Sequence, residues 1–291
     1  MGLYEIFLQP FVEFGFMRRA LVACVALALG SAPMGTLLVL RRMSLAGDAM
    51  AHALLPGAAV AFLLVGLSLP AMSLGAFVAA LLVAALAGGV ARFTAQREDA
   101  SLAGFYLIAL AGGVMLISLR GNSVDLMRVL FGSILAVDDA ALLLVAGVAS
   151  ASLVVLAVVW RPLLVECFDP GFLRAVAGHG ALHHQLFLVL LVANLVAGFQ
   201  ALGTLMAVGL LMLPAIAARC WAHSVAQLSV VACAIATACG WGGLLLSYHF
   251  SLPSGPAIVL LAGAVYLVSL AVGPRDSLRA RFVTAHRHRA A

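Results

Sequence analysis

An aspartate and a histidine four residues apart, Asp48 and His52, stand at the mouth of an apolar run in the segment Arg41-Arg42-Met43-Ser44-Leu45-Ala46-Gly47-Asp48-Ala49-Met50-Ala51-His52-Ala53-Leu54-Leu55-Pro56-Gly57. On a helix, residues four apart share one face, with Cβ atoms about 5–6 Å apart, so the carboxylate and the imidazole can point at one object. Pro56 has no N–H, which deprives the His52 carbonyl of its helical donor beside them. A carboxylate, an imidazole and a free carbonyl together suit a divalent cation. Asp48 alone also reads as a cap at a water interface. His52 lies a turn deeper in the apolar run, where an ionisable side chain is expensive enough to point to function.

Other polar residues carry weaker signals. Asp125 lies in Arg120-Gly121-Asn122-Ser123-Val124-Asp125-Leu126-Met127-Arg128, a stretch too polar at its start and too short to cross a membrane. It either pairs with Arg128 or lines an entrance. His249, beside Ser247 and Tyr248, falls in a predicted outer loop where it can meet an incoming cation. Asp169 followed by Pro170 reads as an N-cap with proline in the first helical position, opening a short helix that either docks a partner or simply connects. The run Gly203 to Arg219 is punctuated by glycine and broken at Pro214; small residues of this kind let helices approach closely in lipid. His183, His184, His223, His286 and His288 fall in predicted cytoplasmic segments and read as solvated.

The elements that must position these residues follow from composition. The chain is 65% hydrophobic and 9% charged, with a mean hydropathy of +1.18. So much hydrocarbon has no cover in a soluble domain, and the expected architecture is an all-α polytopic membrane protein. Apolar runs fall at about 20–40, 48–67, 71–91, 100–119, 138–160, 186–202, 203–218, 226–247 and 255–273. They give about nine crossings, or eight if 186–218 is a bent helix plus a half-helix. The expected division is an N-terminal extracytoplasmic interfacial segment (1–19), a transmembrane domain (20–273) and a basic cytoplasmic tail (274–291). The run after Arg18-Arg19 is long and followed by further spans, so it reads as a retained helix rather than a signal peptide.

There is no lysine, and 12 of the 16 arginines fall in alternate loops or the tail, which predicts a cytoplasmic C-terminus. The net charge of +5 follows from that topology and calls for lipid headgroups, not nucleic acid, as its partner. The five cysteines show no paired spacing and read as packing residues. No GxxxxGK[ST] loop, HExxH, CxxC or nucleophile elbow occurs, so this chain does not hydrolyse ATP by the P-loop route.

Residues 41–57, with Val124-Asp125-Leu126 through Phe131-Gly132, Phe168-Asp169-Pro170, Leu213-Pro214-Ala215 through Ala218-Arg219 and Leu252-Pro253-Ser254-Gly255-Pro256, resemble the membrane permease subunit of the zinc/manganese ABC transporters. The resemblance covers about 17–272. It implies a fold similar to the vitamin B12 and siderophore permeases, in a bacterial cytoplasmic (inner) membrane. It also implies two permease copies, separate ATPase chains and an extracytoplasmic metal-binding protein. By the same resemblance Asp48 and His52 line the metal path, and the segment from Pro214 through Arg219 and onward to about Gln227 receives the ATPase. The function expected is that of a non-enzymatic, pore-forming subunit of an ATP-driven importer, with zinc first and manganese second as transported ion and no cofactor held permanently. The rival expectation is a secondary carrier or channel that works without an ATPase. A resident-metal enzyme would need about three ligands and an open position, where one clear pair is visible.

Overall fold

A computed structural model describes residues 3–66, 68–118, 137–169, 172 and 180–280. Within them every regular element is an α-helix. Two short helices, α1 (Leu3–Phe7) and α2 (Gln9–Glu13), precede α3 (Gly15–Leu40), α4 (Ala46–Val65), α5 (Leu69–Phe93) and α6 (Glu98–Ser118). After the segment 119–136 come α7 (Asp139–Phe168), α8 (Gly180–Leu202), α9 (Thr204–Arg219), α10 (Val225–Phe250) and α11 (Ser254–Val272). Eight of these are long and apolar enough to cross a membrane, and the protein is a multi-pass membrane protein.

The ninth expected crossing, α9, has only 16 residues, about 24 Å of helix. Gly203, with φ +87°, ends α8 and reverses the chain, so that a side chain at Gly198 would press on Ala207 across the turn. Here α9 folds back along α8 as a short antiparallel helix, which keeps the ends of all later helices in alternation. Other boundaries moved too. The expected run at 138–160 continues through Pro162 to Phe168, because a proline inside a membrane helix is tolerated where neighbours re-satisfy the freed carbonyl. Helix α3 already starts at Gly15, so Arg18 and Arg19 lie within its first turns.

One end of the bundle gathers Arg41 at the close of α3, Glu98 opening α6, Glu166 closing α7, His184 opening α8 and Arg219 closing α9. The opposite end is marked by the Arg19–Asp139 ion pair at 3.2 Å. Helices α3 and α8, 78% and 72% buried, form the centre, whereas α6 and α7, 17% and 22% buried, lie at the periphery. Polar links cross the interior: Asn194 Nδ2 donates to Ser152 Oγ (2.7 Å), joining α8 to α7, and the Thr36 and Ser229 hydroxyls meet at 3.0 Å, joining α3 to α10. Such bonds and close small-residue contacts replace the hydrophobic effect as the adhesive between helices in lipid.

Candidate metal-handling site

The turn that presents Asp48 is built without glycine. Leu40 ends α3, and Arg42 takes a left-handed φ of +59°. The N–H groups of Arg42 and Met43 then bond the carbonyls of Val39 (3.2 Å) and Leu38 (3.0 Å), the paired closure of a Schellman motif. Four residues later α4 begins, with Asp48 in its first turn where the helix dipole favours an anion. His52 follows one turn on, and its Nε2 lies 3.5 Å from Asp48 Oδ1. Both side chains remain partly open, 54% and 39% exposed. The other ring nitrogen of His52, Nδ1, is buried with no hydrogen-bond partner among the described residues.

Two contacts fix this helix face. Pro56 packs against Gly113 of α6, and Gly57 meets Gly75 of α5 so closely that a Cβ on either would overlap the other's carbonyl. The His52 ring stacks on Tyr106 of α6, with centroids 6.1 Å apart and planes 23° from parallel. In front of Asp48 the first turns of α4 and α6 enclose a cavity of about 240 Å³, lined by Asp48, Ala49, Arg97, Asp99, Ala103 and Tyr106. The cavity therefore adds one carboxylate, one guanidinium and one phenol to the Asp48–His52 pair. Among the described residues no group of three or more His, Cys, Asp or Glu side chains is placed to hold an ion together. An open two-ligand pair of this kind can take a hydrated cation and let it go; it is not a cage.

The remaining sequence candidates are dispersed. His249 sits in the last turn of α10, edge-on to Tyr248 at 5.3 Å and exposed, at the end opposite Asp48, and so is not brought to the pair. Asp125 lies outside the described residues, as do the tail histidines His286 and His288. Asp169 Oδ1 accepts from the N–H of Phe172 at 2.8 Å, the hydrogen bond of an N-cap, and both residues are exposed. Pro214 is buried within α9, whereas Arg219 at its end is exposed and pairs with Asp276 (Nε to Oδ2, 3.0 Å).

The turn after Arg219 is braced. Trp221 Nε1 donates to Ser269 Oγ (2.9 Å), the Arg275 N–H to the Cys220 carbonyl (3.1 Å), and Ser224 caps α10 by accepting from the Gln227 N–H. Burial raises the Cys220 thiol above its ordinary range, Asp276 raises it further and Arg219 opposes both. All five cysteines are free, as their irregular spacing predicted.

Sequence reasoning missed Tyr106, Asp99 and the cluster Arg41, Glu98, Glu166 and His184. His184 was expected to be solvated. It is instead largely buried, because α8 starts at Gly180 and carries it into the bundle between two carboxylates. The acidic pair Glu98-Asp99 opening an apolar run was the available signal, since acids gather at helix N-termini.

A bundle of eight long apolar helices with a half-open carboxylate–imidazole pair beside a charged cavity defines a membrane transport protein. The chain belongs to the ABC 3 transport family, which matches residues 13–273. It is similar to the manganese import system permease protein ScaB of Streptococcus parasanguinis, with 31% identity over 96% of this chain and 99% of that protein. It is also similar to the chelated iron transport system membrane protein YfeD of Yersinia pestis, at 30% identity over 92% of this chain and 89% of the other. Among solved structures, PsaBC from Streptococcus pneumoniae in complex with Fab matches with a TM-score of 0.82 and 31% identity, covering 94% of this chain and 97% of the other.

Proposed function

We propose that this chain is the membrane-spanning permease subunit of an ATP-driven divalent-metal importer, and that Asp48 and His52 form the transient site along its path. The observation that carries this reading is the half-open pair on the first turns of α4, with an unpartnered imidazole nitrogen. A bare divalent ion in hydrocarbon is prohibitively unfavourable, so passage requires groups that replace water and then release it. Two ligands of mixed hardness meet that requirement better than a closed cage would. Carboxylate and imidazole together do not select strongly between metals, because geometry and availability outweigh raw affinity. The names of the related permeases favour manganese and then iron, so manganese comes before zinc in this reading, reversing the order expected from the nitrogen ligand.

The partners follow from the same reading. A separate ATPase docks on the exposed, braced turn at Arg219–Ser224 and on the Asp169 cap. A second permease copy covers the open face of α7, and an extracytoplasmic binding protein delivers the ion at the opposite end. The arginine-rich end then faces the cytoplasm.

The deciding experiment is radioactive manganese and zinc uptake into proteoliposomes that hold this chain, its ATPase and its binding protein, with and without ATP. ATP-dependent uptake is expected. It should fall to the ATP-free background in Asp48→Asn and His52→Gln proteins that still assemble with the ATPase. Gradient-driven uptake by this chain alone would replace this reading with a secondary carrier.

A further inference from the structure

The helices divide into two groups. Helices α4, α5 and α6 pack on one another, while α3 and α7 to α11 form the remainder of the bundle. Contacts between the groups run mainly through α8 against α5 and α4; α6 packs on α4 and α5 and has at most marginal contact with the second group. At the arginine-rich end, however, a chain of charged side chains crosses the divide. Arg41 Nη2 donates to Glu166 Oε2 (3.2 Å), and Arg41 Nη1 lies 2.9 Å from His184 Nδ1. His184 Nε2 meets Glu98 Oε1 at 2.8 Å. His184 Nδ1 also stands 3.3 Å from Glu166 Oε1. Nε2–H therefore donates to Glu98 in either charge state, while Nδ1 accepts from Arg41 in the neutral ring and donates to Glu166 in the protonated one.

Three of the four members belong to the second group and are locked in place. Arg41 and Glu166 are each 7% exposed, and the Arg41 guanidinium also lies 4.2 Å from the Phe187 ring centroid and 3.3 Å from Cys167 Sγ. Glu98 alone comes from the first group, and its side chain is the most open of the four, 26% exposed. It opens the helix whose next turns supply Asp99, Ala103 and Tyr106 to the cavity at Asp48. A buried charge left without its partner is strongly unfavourable, whereas Glu98 can be rehydrated at the surface. The Glu98–His184 contact is thus the link in the chain that can break while the rest stays whole.

We propose that Glu98 and His184 form a latch that holds the α4–α6 group closed against the rest of the permease at the arginine-rich end. Release of the latch lets that group swing and carries Asp48, with the cavity in front of it, relative to the rest of the permease. The role in transport rests on the function proposed above; the existence of the latch does not.

The test uses the full chain in lipid nanodiscs, with its five cysteines replaced by serine and spin labels placed at Gly104→Cys on α6 and Leu182→Cys on α8. Both positions are exposed, and neither belongs to the cluster. Electron-electron resonance should give one short distance for the parent and an added longer population in Glu98→Gln and in His184→Gln. The double variant should show no larger effect than either single one. Glu98→Gln keeps the shape of the side chain, so a monodisperse protein with an unchanged distance distribution would overturn the latch.

Uptake per ATP hydrolysed, in the assembled transporter, reads the second part. A fall in both variants is expected. Lengthened distances with unchanged coupling would reduce the contact to a static staple and overturn its gating role. If the parent complex moves no metal at all, the function fails, while the distances still decide the latch.

Discussion

At the scale of single residues, the ring of Tyr106 is the test of how His52 is held. The stacked pair is expected to contribute about 0.5–1.5 kcal/mol beyond burial. Tyr106→Phe keeps the ring and should leave metal uptake near the parent's. Tyr106→Leu should raise the apparent KM for metal roughly 2- to 12-fold, the factor that energy corresponds to. A KM unchanged in Tyr106→Leu would show that the ring merely fills space. Asp48 and His52 were legible in the sequence because both lie within one turn of one helix, so spacing alone put them together. Tyr106 and Glu98 were not. Their partners lie on other helices, 86 residues away in the case of His184, and no local pattern encodes that proximity. His184 shows the same blindness: its place in a predicted cytoplasmic segment suggested solvent, and only the start of α8 at Gly180 places it inside.

At the scale of elements, two left-handed positions make opposite predictions. Gly203 turns α8 back onto α9 with φ +87° and ψ 161°, a region essentially reserved for glycine, where a Cβ costs about 1–3 kcal/mol. Gly203→Ala should therefore lower the unfolding temperature of the purified protein in detergent. Arg42 carries the same handedness at the end of α3 with a side chain in place, so Arg42→Gly should raise that temperature or leave it unchanged. A marked drop in Arg42→Gly would mean that its side chain contributes more than the backbone gains. Most spans were readable, since a run of about 20 apolar residues is a strong signal. Their ends were less so. The run read as 138–160 continues through Pro162 to Phe168, and the brevity of α9 depends on a turn whose geometry only the packing of Gly198 against Ala207 makes evident.

At the scale of the whole molecule, the face of α7 turned away from α3 and α8 is open and apolar, with Leu143 at 74% and Val158 at 78% exposure. If a second permease covers it, Val158→Cys in a protein otherwise free of cysteine should form a disulfide-linked dimer on mild oxidation in membranes. Leu260→Cys on α11, at a position that is 74% exposed, should not. Equal cross-linking at both would remove α7 from the interface. The all-helical class and the alternation of helix ends followed from composition and from the arginine pattern, which are properties of the entire chain. The division into two helix groups did not, because it is set by which helices fail to touch. Finally, α7 has 30 residues and runs for about 45 Å, against a hydrocarbon core of about 30 Å. Hydrophobic mismatch must therefore be relieved by tilting α7 or by carrying its last turns, with Glu166, into the headgroup layer. The acyl-chain length of the surrounding lipid thereby becomes an effector of the charge chain at Arg41.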